Sequence, residues 1–234
     1  MASDDRDTID CLVTYPVSSA VLSKLTVITG TPMSQFDLVF SREFAQEEAA
    51  CDRLRQTLAV HAPVGERQLL FRKSADPHLP ALIQLVAVVA VWRILVPAAE
   101  AYLKRLAELA ADATWKALRS HIKQTRAEPI AEIATVLADT ASNVGTGVDV
   151  RFTLCLPGER SSPGLVIDGQ GPETLARCLS NFVVHSERIQ QELQAATADG
   201  RQLIGEPRVA LADDGGVILT WAYADGTECR KHII

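Results

Sequence analysis

Leu79 to Ala99 reads LPALIQLVAVVAVWRILVPAA, and how this stretch folds decides the architecture of the whole chain. Its uncharged part runs from Leu79 to Trp92, where Arg93 interrupts it. A membrane-spanning helix wants about 20 apolar residues, whereas a run of roughly 10 to 14 is more often a core helix or a re-entrant segment. Arg93 inside a span would cost on the order of 3 kcal/mol, less if it snorkels to the interface. Gln84 and Arg93 are nine positions apart, so at about 100° per residue they project from opposite sides of a helix and leave no polar face. A helix apolar all round belongs in a core, in a partner or in lipid. Val86, Val88, Val89 and Val91 also permit a buried strand, but the length points to helix. Pro97 is expected to kink that helix.

Beyond Pro97 the period is helical: Ala99, Leu103, Leu106, Ala110, Ala113 and Ala117 step alternately by four and three, the pattern of a helix-packing seam. Trp115 and Leu118 widen its apolar side. Lys116, Arg119, Lys123 and Arg126 gather at its end, where cations complement the helix dipole or face anionic headgroups. Residues 79 to 126 are therefore expected to form a central core helix or helix pair. The alternatives are a segment that enters a membrane and an interface between copies of the chain. The residues that would meet a partner or a membrane are Val88, Val89, Trp92, Arg93, Leu103, Leu106, Trp115, Lys116, Arg119 and Lys123.

Working outward, the N-terminal flank predicts strands at Ile9 to Tyr15, Leu25 to Thr29 and around Phe36, Leu38 and Phe40, whose alternation puts three apolar side chains on one face. Ser41 then caps a helix carrying Phe44, Cys51, Leu54 and Leu58, with Glu43, Glu47 and Glu48 near its positive end, and ending near Val60. Gln68 to Arg72 is expected to be a further strand. After the middle, Ile130, Ile133, Ala134 and Leu137 mark a short amphipathic helix over Pro129 to Ala141.

The C-terminal flank is the most legible. Val148, Val150, Phe152, Leu154 and Leu156 alternate with Asp149, Arg151, Thr153 and Cys155 as in a half-buried strand. Leu165 to Ile167 follows, and Gly171-Pro172 with Glu173 opens a helix whose buried stripe is Leu175, Cys178, Phe182, Ile189 and Leu193. Asp214-Gly215 and Asp225-Gly226 separate Val209 to Leu211, Val217 to Tyr223 and Thr227 to Ile233, the spacing of an antiparallel meander. The flanks share an order of elements without residue-level similarity, so duplication is only weakly suggested.

The chain is expected to be α+β: two β-rich flanking parts with antiparallel strands and packed helices, joined by a long apolar central helix or helix pair. Its parts are residues 1–78, 79–143 and 144–234, which also suit one integrated domain. The formal charge of −6 argues against nucleic acid as a partner. Five scattered cysteines without a CxxC pair suit a reducing compartment, and the acidic start MASDDRDTIDC has no secretory pattern, so a cytoplasmic location is expected, with peripheral or conditional membrane association as the variant.

No catalytic motif is found. Gly169-Gln170-Gly171-Pro172 lacks the lysine of a phosphate loop and reads as a turn. Cys178, Asn181 and His185 share a helix face, but seven residues of helix separate thiol from imidazole by about 10 Å. Cys229 and His232, three apart on a strand, point to opposite faces. Trp221 and Tyr223 share a strand face and read as sheet core. No metal or cofactor is expected. The function expected is that of a non-enzymatic interaction or adaptor protein, its central helices packing within the fold or against a protein partner or a second copy. The alternative is a membrane-acting effector that inserts residues 79–96 when triggered.

Overall fold

The computed structural model describes residues 36–41, 45–61, 63–69, 81–87, 92–108, 115–123, 125–144, 148–154, 163–167, 169–212 and 216–233. The strands expected at Ile9 to Tyr15 and Leu25 to Thr29 lie outside them. The described strands form one mixed eight-stranded sheet: β1 (Phe36–Ser41), β2 (Val64–Leu69), β3 (Ala81–Ala87), β4 (Val148–Leu154), β5 (Gly164–Ile167), β6 (Leu203–Leu211), β7 (Val217–Tyr223) and β8 (Glu228–His232), in spatial order β2-β1-β3-β4-β5-β6-β7-β8. Three neighbouring pairs are parallel and each is joined through helix: β1 to β2 by α1 (Ala45–Ala59), β3 to β4 by α2 (Trp92–Glu108), α3 (Trp115–Ile122) and α4 (Glu128–Val144), and β5 to β6 by α5 (Pro172–Val184) and α6 (Ser186–Thr197). The remaining pairs are antiparallel. The fold is α+β with a mixed sheet.

One in-register row explains the core. Leu38, Leu85, Phe152, Leu165, Val209 and Leu219 lie side by side across six strands, all buried, because each occupies the same phase of its strand's two-residue period. Both ends of that row are charged and tied to helices: Glu66 on β2 pairs with Arg55 of α1, and Lys231 on β8 with Glu192 of α6. Charged edge strands discourage pairing with another chain. The helices cover this face. In α1, Ala50, Cys51, Leu54 and Leu58 recur at helical spacing and are buried. Ile130, Ala131, Ile133, Ala134, Leu137 and Ala138 make a broad buried stripe on α4, whose alanines let it pack closely on α5. Phe182 of α5 meets Phe152 edge-on, ring centroids 6.2 Å apart.

The stretch that opened the sequence reading departs from expectation. Residues 79–99 do not form one apolar helix: Ala81–Ala87 is strand β3, inside the sheet between β1 and β4, and the helix begins at Trp92. Ile83, Leu85 and Ala87 face the helices, and Gln84 and Val86 on the opposite face are also buried, at 1% and 6% exposure. A strand covered on both faces shows no hydrophobic alternation, so it imitates a helix that is apolar all round. Val88 and Val89 lie outside the described residues, whereas Trp92 and Arg93 open α2 and Pro97 sits within it. The seam beyond Pro97 divides between α2 and α3, with Ala110 and Ala113 outside the described residues. Two strands start earlier than expected, β2 at Val64 and β6 at Leu203. The helix opened by Pro172 turns at His185, where α5 ends and α6 begins, and its predicted stripe of Leu175, Cys178, Phe182, Ile189 and Leu193 is buried throughout.

Candidate functional site

Charged side chains gather in two places of opposite character. The first is on the sheet face away from the helices. Glu206 sits on β6 within a register break between Ile204 and Arg208, where Gly205 adopts φ 70°. Glycine takes this left-handed conformation without the steric cost of a Cβ, and a bulge of this kind re-aims the neighbouring side chain. Glu206 is thereby sent across β5 to β4 and β3. Gly164 on β5 lets it pass, since a Cβ there would lie 2.7 Å from Oε1. The Thr153 hydroxyl donates to Glu206 Oε1 at 2.9 Å, Gln84 Nε2 donates to Thr153 Oγ1 at 2.7 Å and to Oε1 at 3.2 Å, and Arg151 Nη1 donates to Oε2 at 2.8 Å. Arg151 Nη2 donates to Asp149 at 2.8 Å. Burial works against the Arg151 charge, yet Asp149 and Glu206 outweigh it and hold the guanidinium above its ordinary value. Within this cluster only Arg151 Nε is buried without a partner.

The second place is α3 and the turn after it. Leu118 and Ile122 are buried and anchor the helix on the core, while Lys116, Arg119 and Lys123, at i, i+3 and i+7, form one exposed ridge. Arg126, also exposed, continues it past the helix end. These four cations fall within thirteen residues that hold no acidic side chain, although the chain as a whole is acidic. Among the described residues none of the four has an ion-pair partner. The Thr125 hydroxyl closes the helix by donating to the Ile122 carbonyl at 2.5 Å, and it accepts the Ala127 N–H at 3.3 Å, fixing the turn that holds Arg126 outward.

Beside this turn is a groove of about 450 Å³. It is lined by Ile94, Pro97 and Ala98 of α2, by Thr125, Arg126, Glu128 and Pro129 between α3 and the start of α4, and by His61 after α1. The His61 ring is held by Glu132 of α4 at 2.5 Å. Val60, the preceding residue, is 79% exposed.

The structure distributes the sequence-derived candidates unevenly. Lys116, Arg119 and Lys123 come together at the surface, whereas Leu103, Leu106 and Trp115 pack partly buried against the core. Glu206, Arg126 and His61 were not singled out as site residues; only the acid-free spacing of cations through residue 126 pointed toward one of them. Cys178 is buried, and burial pushes its thiol up to about 11, so it stays protonated and acts as a small apolar side chain. Burial, with Arg188 nearby, lowers His185. Trp221 and Tyr223 pack on the core side, the Tyr223 hydroxyl donating to the Ala196 carbonyl at 3.0 Å and Arg201 lying 3.4 Å over its ring. Among the described residues no helix is long and apolar enough to cross a membrane. Comparison with protein families, with curated proteins and with solved structures gives no match.

Proposed function

We propose that this chain is a non-enzymatic interaction protein and that the cationic ridge of α3 is its docking face for an acidic protein partner. The observation that carries this reading is the ridge itself: Lys116, Arg119 and Lys123 aligned, exposed and unpaired among the described residues of an acidic chain. Like charges at this spacing destabilise a helix by a few tenths of a kcal/mol per pair. That repulsion offsets part of what Arg119 and Lys123 gain at the C-terminal end of the helix, and an external anion would relieve it. Electrostatic complementarity of this sort sets partner choice and on-rate more than affinity.

The rival reading, insertion of residues 79–96 into a membrane, would have to draw β3 out of its pairing with both β1 and β4. The two readings separate by experiment. The purified chain is titrated with poly-L-glutamate and, separately, with phosphatidylserine vesicles at low and moderate salt. The docking reading expects salt-sensitive binding to poly-L-glutamate that disappears in Lys116→Glu/Arg119→Glu/Lys123→Glu while thermal stability is retained. Vesicle binding without poly-L-glutamate binding would replace it with the membrane reading, and concentration-dependent self-association lost in the same variant would make the partner a second copy.

A further inference from the structure

Building on the docking reading, we infer that the groove beside α3 receives one extended segment of the acidic partner, with an apolar side chain on Ile94, Pro97 and Pro129 and an adjacent carboxylate on Arg126. Three observations converge. The groove's walls are apolar where α2 meets the start of α4. It holds a cation, since exposed Arg126 lines it as the continuation of the Lys123 ridge. Val60, largely exposed and next in chain to groove-lining His61, is an apolar side chain that a segment running past His61 would meet. Burying such a side chain on binding is favourable in proportion to the apolar area covered.

The backbone adds a polar anchor. Pro97 lies inside α2 and has no N–H, so the Arg93 carbonyl one turn earlier lacks its usual helical donor. Residues four apart share a helix face, which puts that carbonyl on the side of α2 that Pro97 presents to the groove. A peptide N–H can supply the missing donor. The Thr125 hydroxyl fixes the turn on one side of the groove and the His61–Glu132 contact holds the ring that lines it. Little ordering of the protein is then required on binding.

The test is fluorescence polarisation of the full chain with two fluorescein-labelled octapeptides, one alternating Leu and Glu and one alternating Gly and Glu. The groove expects the Leu-containing peptide to bind about tenfold tighter, Arg126→Glu to weaken it by about tenfold, and Val60→Ser by about threefold. Both positions are exposed, and a thermal melt confirms that the variants fold. Equal affinity for the two peptides, unaffected at Val60 but reduced by Lys116→Glu/Arg119→Glu, would overturn the groove and leave the α3 ridge as the whole docking face. Binding of neither peptide would overturn the groove and the acidic-partner reading together.

Discussion

The Arg151–Glu206 cluster and the α3 ridge both concentrate charge, and they differ in whether that charge is answered. Glu206 is surrounded by Arg151, Thr153 and Gln84, drawn from two neighbouring strands, and Arg151 has a second carboxylate in Asp149. Lys116, Arg119 and Lys123 stand in solvent with no partner among the described residues. Buried charge must be paired because water no longer solvates it, and a buried pair that loses one member leaves the other stranded. Exposed charge carries no such penalty. The sheet cluster therefore belongs to the stability of the fold, and the ridge is free to serve something outside it.

Substitutions that cross this division break it most sharply at Glu206. Glu206→Ala leaves Arg151 with Asp149 as its one carboxylate partner among the described residues and is expected to cost about 3 kcal/mol, read as a lower urea midpoint with unchanged slope. A loss below about 1 kcal/mol would mean that solvent already satisfies the cluster. Next comes Gly164→Ala. The added methyl meets Glu206 Oε1, which two hydrogen bonds hold in place while Arg151 holds Oε2, so about 1 to 2 kcal/mol should be lost. The same substitution in a Glu206→Ala background should be nearly neutral, which isolates the contact. At the ridge, Lys116→Glu/Arg119→Glu/Lys123→Glu should leave stability within about 0.5 kcal/mol while abolishing binding to poly-L-glutamate.

The smallest effect belongs to a charge that is exposed yet paired. Asp225, in the turn between β7 and β8, accepts hydrogen bonds from Thr227 and Arg201 that hold its carboxyl at about 2, below its ordinary 3.8. A depressed value means that the unfolded chain takes up the proton first as pH falls. Its contribution is thus complete above about pH 4 and lost toward pH 2. Asp225→Asn should flatten the stability profile slightly in that window, and a carboxyl NMR titration of the parent checks the shift directly.

How much of this was legible depended on which faces of each element are covered. On β4, Val150, Phe152 and Leu154 face the helices while Asp149 and Arg151 stay partly exposed, so the alternation survives in the sequence. On β3 both faces are covered, the alternation disappears, and the segment reads as an apolar helix. The ridge could be seen because its members lie within eight consecutive residues, on α3 and the residue after it, where spacing alone places them. The Glu206 cluster could not, because it requires the Gly205 bulge, the gap at Gly164 and partners more than fifty residues away along the chain. The groove is equally hidden, its walls coming from the ends or middles of separate helices.

By itself, then, the sequence determined what depends on near neighbours: the α1, α4 and α5 faces, the β4 alternation, the β7–β8 turn and the run of cations over α3. Those follow from local periodicity and turn chemistry, which act over a few residues. Only the tertiary structure decided that Ala81–Ala87 is an interior strand, that Glu206 reaches across two strands to Gln84, and that His61, Pro97 and Arg126 share a groove. Each of these is set by which segments become neighbours in space, and burial on a second face or a partner on a distant strand leaves no periodic trace along the chain.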